Sequence, residues 1–143
     1  MGLLTALLGD EESAQPEAIE SSDDTMYAIV LNAGPDEVPV AGNAFNYAVE
    51  FDENGYDVQL FLDGEATKWP GEYAENPDKP FNYDWEQVRS RGLLTGACGY
   101  CANAFGAADA CERADVPVLS DDDAHAPSVA ELANEGCEIL TVG

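Results

Sequence analysis

From Met26 onward the chain alternates short apolar runs with stretches of helical periodicity, and this alternation leaves few folds open. Met26-Tyr27-Ala28-Ile29-Val30-Leu31 has no polar alternation, as in a strand covered on both faces. Val40 to Phe51 places Val40, Ala44, Phe45, Ala48 and Val49 at helical spacing, and Asn54-Gly55 ends that helix. A second strand, Tyr56 to Leu62, closes at Asp63-Gly64. Glu65 to Tyr83, with three prolines, reads as a long aromatic-rich loop with one helical turn at most. Asp84 is placed to cap a helix from Trp85 to Arg91, which Gly92 ends. Leu93 to Ala97 is a third strand and Val116-Pro117-Val118-Leu119 a short fourth, with its proline at a strand start or edge. Ser128 to Asn134 is a helix, and Cys137 to Val142 the last strand. Strands alternating with helices give right-handed crossovers and a parallel sheet. The expected fold is therefore α/β: three layers, α/β/α, around a mainly parallel five-stranded sheet of flavodoxin or Rossmann type.

In such sheets ligands bind beyond the carboxyl ends of the strands. Those ends are Asn32–Pro35, Asp63–Glu65, Cys98–Cys101 and Ser120–His125. Two of the four cysteines thus fall on the expected functional edge, three positions apart, at a strand-to-helix turn. A helix start lowers a thiol's pKa and offers backbone N–H groups to negative charge. Cys101 is the expected nucleophile and Cys98 its assistant, placed to close a disulfide with it. The same Cys-x-x-Cys pair would serve a thioredoxin-like dithiol, for which Pro117 is a weak stand-in for the usual cis-proline. A four-thiolate zinc site would need Cys111 and Cys137 as a second close pair, and these stand alone. Both read as packing residues, and no metal or cofactor is assigned.

His125 is the sole histidine and so the sole imidazole available to tune Cys101. Asn32, Gly34, Asp63, Gly99 and Tyr100 lie at strand ends or in the cysteine turn and are positional candidates for ligand contact. Asp121-Asp122-Asp123 reads as solvated surface. No GxGxxG or P-loop spacing is present, so nucleotide binding has no motif behind it.

Charge narrows the partners. The 143 residues carry 29 acids against five bases, a net charge of −24. The acids are dispersed among apolar positions, and only Lys68 and Lys79 are lysines. Such a surface suits a high-salt cytoplasm, where molar salt screens self-repulsion, and it excludes a basic patch for nucleic acid. Residues 1–25 read as an acidic, disordered tail ahead of a single domain over 26–143, with Leu3, Leu4, Leu7 and Leu8 as an apolar face. That apolar run is too short to span a membrane and lacks a basic leader, so the expected location is a reducing cytoplasm.

The chain resembles the DsrE/DsrF-like proteins, which include TusD-type sulfur carriers. Three stretches carry the likeness: Ala28-Ile29-Val30-Leu31-Asn32-Ala33-Gly34-Pro35, Asn54-Gly55-Tyr56-Asp57-Val58-Gln59-Leu60-Phe61-Leu62-Asp63-Gly64-Glu65, and Gly92 to Gly106 with its cysteine turn. The resemblance implies a sulfur relay protein whose cysteine holds sulfur as a persulfide. In the TusD-like version the active cysteine starts a helix and is followed by small residues, a position that Cys101-Ala102-Asn103-Ala104 matches. It also implies homo-oligomers (dimer, trimer or hexamer) and sulfur donor and acceptor proteins or small sulfur species as partners. A non-catalytic oligomeric module with redox-sensitive cysteines is the alternative. Trp69, Tyr73, Phe81 and Trp85 are the expected interface residues.

Overall fold

The computed structural model describes residues 25–143. The proposed amino-terminal tail, with its leucine face, otherwise lies outside them. Four strands, β1 (Met26–Leu31), β2 (Asp57–Leu62), β3 (Leu94–Ala97) and β4 (Glu138–Val142), form one sheet in the order β3-β2-β1-β4. Every pairing is parallel. Six helices accompany it: α1 (Val38–Glu53), α2 (Trp69–Glu75), α3 (Asn82–Ser90), α4 (Gly99–Ala104), α5 (Ala108–Arg113) and α6 (Val129–Asn134). The α/β class is as expected, but the sheet has four strands and not five.

The missing strand has a physical reason. Val116–Leu119 does run beside β3, yet it pairs only through the single bridge Ala97↔Val118. Pro117 has no N–H to give, and β3 is itself only four residues long. What survives are two bonds around one residue: Ala97 N to Pro117 O and Leu119 N to Ala97 O.

β1 is central and buried on both faces, as its unbroken apolar run requires. Ile29 and Leu31 point into the large core with Phe45, Leu60, Leu62, Trp69 and Trp85. Ala28 and Val30 point the other way, toward Phe61, Leu132 and Ile139 under α6. Pro39 sits in the first turn of α1, where its missing N–H costs nothing.

The segment Glu65 to Tyr83 is not a loop. A 3₁₀ turn, Gly64–Lys68, runs into α2, and α3 begins at Asn82. Ala66, Trp69, Pro70 and Tyr73 are buried at i, i+3, i+4 and i+7, the spacing of one helical face. Pro70 reads as a breaker in the sequence but occupies the permitted first turn of α2. Asp84 does not cap α3, which starts after Phe81 at φ 70°.

The aromatics are accordingly core, not interface. Trp69 stacks on Tyr73 and Tyr73 on Trp85, with Phe45 against all three. The Trp69 Nε1–H donates to Ala33 O at 2.8 Å, and the Tyr73 hydroxyl to Pro80 O at 2.8 Å. Phe81 is partly buried against the same cluster.

Candidate functional site

Strand register builds the site. Leu62 pairs with Ala97, so the next residues, Asp63 and Cys98, leave the carboxyl edge of the sheet side by side. The Cys98 N–H donates to Leu62 O at 2.9 Å and continues the ladder one step. Val118 bridges to Ala97 from the other side, so the following loop, Ser120 to Pro127, rises next to Cys98. This loop carries His125.

Cys98 is the N-cap of α4, a role the sequence reading gave to neither cysteine. Its Sγ accepts from Cys101 N and from Ala126 N, each at 3.4 Å, and it has no exposed surface. Cys101 lies one turn in, 9% exposed, and its thiol donates to Asp63 Oδ1 at 3.1 Å. The same oxygen accepts from Gly64 N at 2.9 Å and meets His125 Nε2 at 2.9 Å. A carboxylate can only accept, so Nε2 is the protonated nitrogen in this contact. Three donors from three segments converge on one carboxylate oxygen.

Two expectations are corrected here. The N–H groups at the start of α4 are not free for a ligand. Gly99 N donates to Ser120 Oγ at 2.9 Å, Tyr100 N to Ala124 O at 3.3 Å, and Cys101 N to Cys98 Sγ. Nor is the Cys101 pKa lowered. Burial pushes the thiol well up, the hydrogen bond to Asp63 adds to this, and the Gly64 backbone N–H opposes it only in part. The resting form is a thiol, not a thiolate.

The other sequence candidates sort themselves by place. Gly99 is required by close approach: a Cβ there would overlap the Ser120 carbonyl oxygen. Tyr100 is 53% exposed beside the cysteines. Asn32 and Gly34 do not join the cluster and instead seat the β1 loop on the 3₁₀ turn. Asn32 Oδ1 faces Gly64, and a Cβ on Gly34 would fall 2.7 Å from Glu65 Cβ. Asp121, Asp122 and Asp123 are exposed. Cys111 is buried with its thiol toward Thr67 O at 3.5 Å, and Cys137 packs against the opposite face of the sheet. The four cysteines therefore cannot share one metal.

Ser120 was missed. Its hydroxyl accepts from Gly99 N and donates to Ala124 O at 2.6 Å, tying the histidine loop over α4. A serine at a strand end is a common residue, and only the close packing of Gly99 marks it. One group of potential metal-ligating side chains stands out among the described residues: Asp63, Cys98, Cys101 and His125 present ligand atoms within 4.8 Å of one another.

Fold and site together define a small parallel α/β protein with a thiol, carboxylate and imidazole cluster at the carboxyl edge of its sheet. The DsrE/DsrF-like family model matches residues 26–142, and the chain belongs to that family. A conserved protein of unknown function from Bacteroides thetaiotaomicron, BT1422, has a similar structure. The TM-score is 0.58 at 18% identity, over 85% of this chain and 97% of that one. At that identity the likeness concerns the fold alone. No curated protein matches. No helix among the described residues is long and apolar enough to cross a membrane.

Proposed function

We propose that this protein is a sulfur carrier that accepts sulfur as a persulfide on Cys101, with Cys98 able to discharge it. The observation that carries the reading is the Cys101 thiol held 3.1 Å from a carboxylate oxygen that also meets the only histidine. Of the two cysteines in the turn, Cys101 is the more exposed. Attack of Cys101 on the sulfane sulfur of a donor R–S–SH forms the Cys101 S–S bond and breaks the donor's S–S bond. The proton leaves Cys101 toward Asp63, and the departing RS⁻ takes up a proton to become RSH. Asp63 thus keeps Cys101 protonated at rest and receives its proton during attack. In a second step Cys98 attacks the inner sulfur of the Cys101 persulfide. This gives a Cys98–Cys101 disulfide and hydrogen sulfide: two thiol sulfurs are oxidised and the sulfane sulfur is reduced.

The partners this reading calls for are sulfur donor and acceptor proteins or small sulfur species. Assembly into homo-oligomers and a reducing, high-salt cytoplasm belong to the same reading. The described residues hold 22 acids against all five bases, which favours molar salt as the working medium. The test is intact mass after exposure to polysulfide in molar salt. Cys98→Ser, which cannot discharge the persulfide, should gain about 32 Da, one sulfur atom. Wild type should show this adduct or the disulfide that follows it, and Cys101→Ser should show neither. A loss of about 2 Da in wild type together with no sulfur adduct on Cys98→Ser would mark a dithiol–disulfide protein and overturn the carrier reading.

A further inference from the structure

We infer that Asp63, Cys98, Cys101 and His125 form a mononuclear binding site for a thiophilic divalent cation of the Zn²⁺ class. The four side chains come from three separate places: the end of β2, the first turn of α4 with its N-cap, and the Ser120–Pro127 loop. Their ligand atoms nevertheless lie within 4.8 Å of one another. In a tetrahedron with metal–sulfur bonds of about 2.3 Å and metal–nitrogen bonds of about 2.0 Å, the edges are roughly 3.3–3.8 Å. The widest separation here needs a contraction of about 1 Å to meet that geometry. Two of the separations, 2.9 Å from His125 to Asp63 and 3.1 Å from Cys101 to Asp63, are hydrogen bonds. A cation replacing the shared hydrogens would open them by a few tenths of an ångström.

The donor set selects the ion. Two thiolates disfavour Mg²⁺ and Ca²⁺, which take oxygen ligands, whereas two sulfurs, one imidazole nitrogen and one carboxylate oxygen suit tetrahedral Zn²⁺. The Cys-x-x-Cys spacing is that of zinc-binding turns. Outer contacts are already in place. Cys98 Sγ receives the N–H groups of Cys101 and Ala126, and Asp63 Oδ1 that of Gly64. Such bonds hold ligands in position around a metal. His125, 51% exposed, forms the outer wall of the cluster and leaves a route from solvent. Each thiol that ligates the ion releases its proton to water. A cation on Cys101 also occupies the sulfur that would carry a persulfide, so the two loads exclude each other.

The test uses the full chain, freed of metal by a chelator and kept reduced, with Co²⁺ as the probe. One Co²⁺ per chain should bind with an intense tetrahedral visible spectrum and a near-ultraviolet thiolate-to-cobalt band, and added Zn²⁺ should erase both. Cys101→Ser and His125→Ala should each weaken binding about tenfold or more, while Cys111→Ser and Asp122→Asn leave it unchanged. His125→Ala, at an exposed position, keeps the variant set readable if a buried cysteine change disturbs α4. A weak octahedral spectrum, or binding indifferent to both Cys101→Ser and His125→Ala, would overturn the site. The readout is spectroscopic and independent of sulfur transfer, so it stands or falls apart from the persulfide result.

Discussion

The Cys101 thiol donates to Asp63 Oδ1 across 3.1 Å, and this contact adds to burial in setting the resting state of the site. A helix start would ordinarily favour the thiolate. Here Cys98 takes the N–H of Cys101 for itself, and burial together with the Asp63 carboxylate holds the Cys101 proton. In the proposed sulfur transfer, the nucleophile is stored in its neutral form beside the group that would receive its proton. A thiol so held resists chance alkylation and oxidation in a way that an open helix-start cysteine does not.

Asp63→Asn should therefore make Cys101 react at lower pH. The change removes a negative charge that favours the thiol and replaces the carboxylate acceptor by a weaker amide one, while desolvation remains. The midpoint of the alkylation rate against pH should move down by about one unit. Iodoacetamide labelling of metal-free protein, with peptide mapping of Cys101, measures it. An unmoved midpoint would mean that burial alone sets the thiol.

Gly99→Ala should damage the site through the loop and not through the cysteines. A Cβ at residue 99 would overlap the Ser120 carbonyl oxygen, and Ser120 ties the loop that holds His125. A cost of about 1–3 kcal/mol is expected from forced backbone movement. Urea unfolding reports the cost, and the His125 imidazole proton signals report the loss of the Asp63 contact. Unchanged stability with an intact His125 signal would show that the loop yields freely.

Much of this was legible from residue patterns, and the failures have specific causes. The β1 run, the α1 periodicity and the Asn54-Gly55 stop all specify one local structure, and Gly55 does take a positive φ of 87°. The carboxyl-edge rule put Asp63, Cys98 and His125 on the same edge before any distance was known. What the pattern could not show was register. Only the pairing of Leu62 with Ala97 sets Asp63 beside Cys98, and pairing across β2 and β3 is a long-range property. Two prolines account for the misses in secondary structure. Pro70 starts a helix, and Pro117 reduces a strand to a bridge, because the same missing N–H is harmless in a first helical turn and costly in a sheet.

Trp69→Phe should lower stability without altering self-association. Trp69 is fully buried and its Nε1–H satisfies Ala33 O at 2.8 Å, so the substitution strands a buried carbonyl and leaves a void. The unsatisfied group alone costs about 1–3 kcal/mol. Chemical denaturation gives the loss, and light scattering gives the mass in solution. A change of oligomeric state at unaltered stability would return this tryptophan to an interface role.

Cys111 should leave a mark on stability at alkaline pH. Burial raises its thiol from 9.0 to about 11, with desolvation as the cause. Below pH 9 the folded and unfolded chains both keep the proton, and the residue adds no pH dependence. Between these two values the unfolded chain releases it while the folded chain retains it. The folded state then binds more protons, so its stability falls as pH rises through this window and levels off above it. A shift of this size corresponds to roughly 2–3 kcal/mol over the full window. Cys111→Ala removes that alkaline slope while costing some packing at every pH. Unfolding free energies of wild type and variant at pH 8 and pH 11 check it: the gap between the two proteins should narrow at the higher value. A gap that stays constant would mean that Cys111 ionises in the folded chain as readily as in the unfolded one.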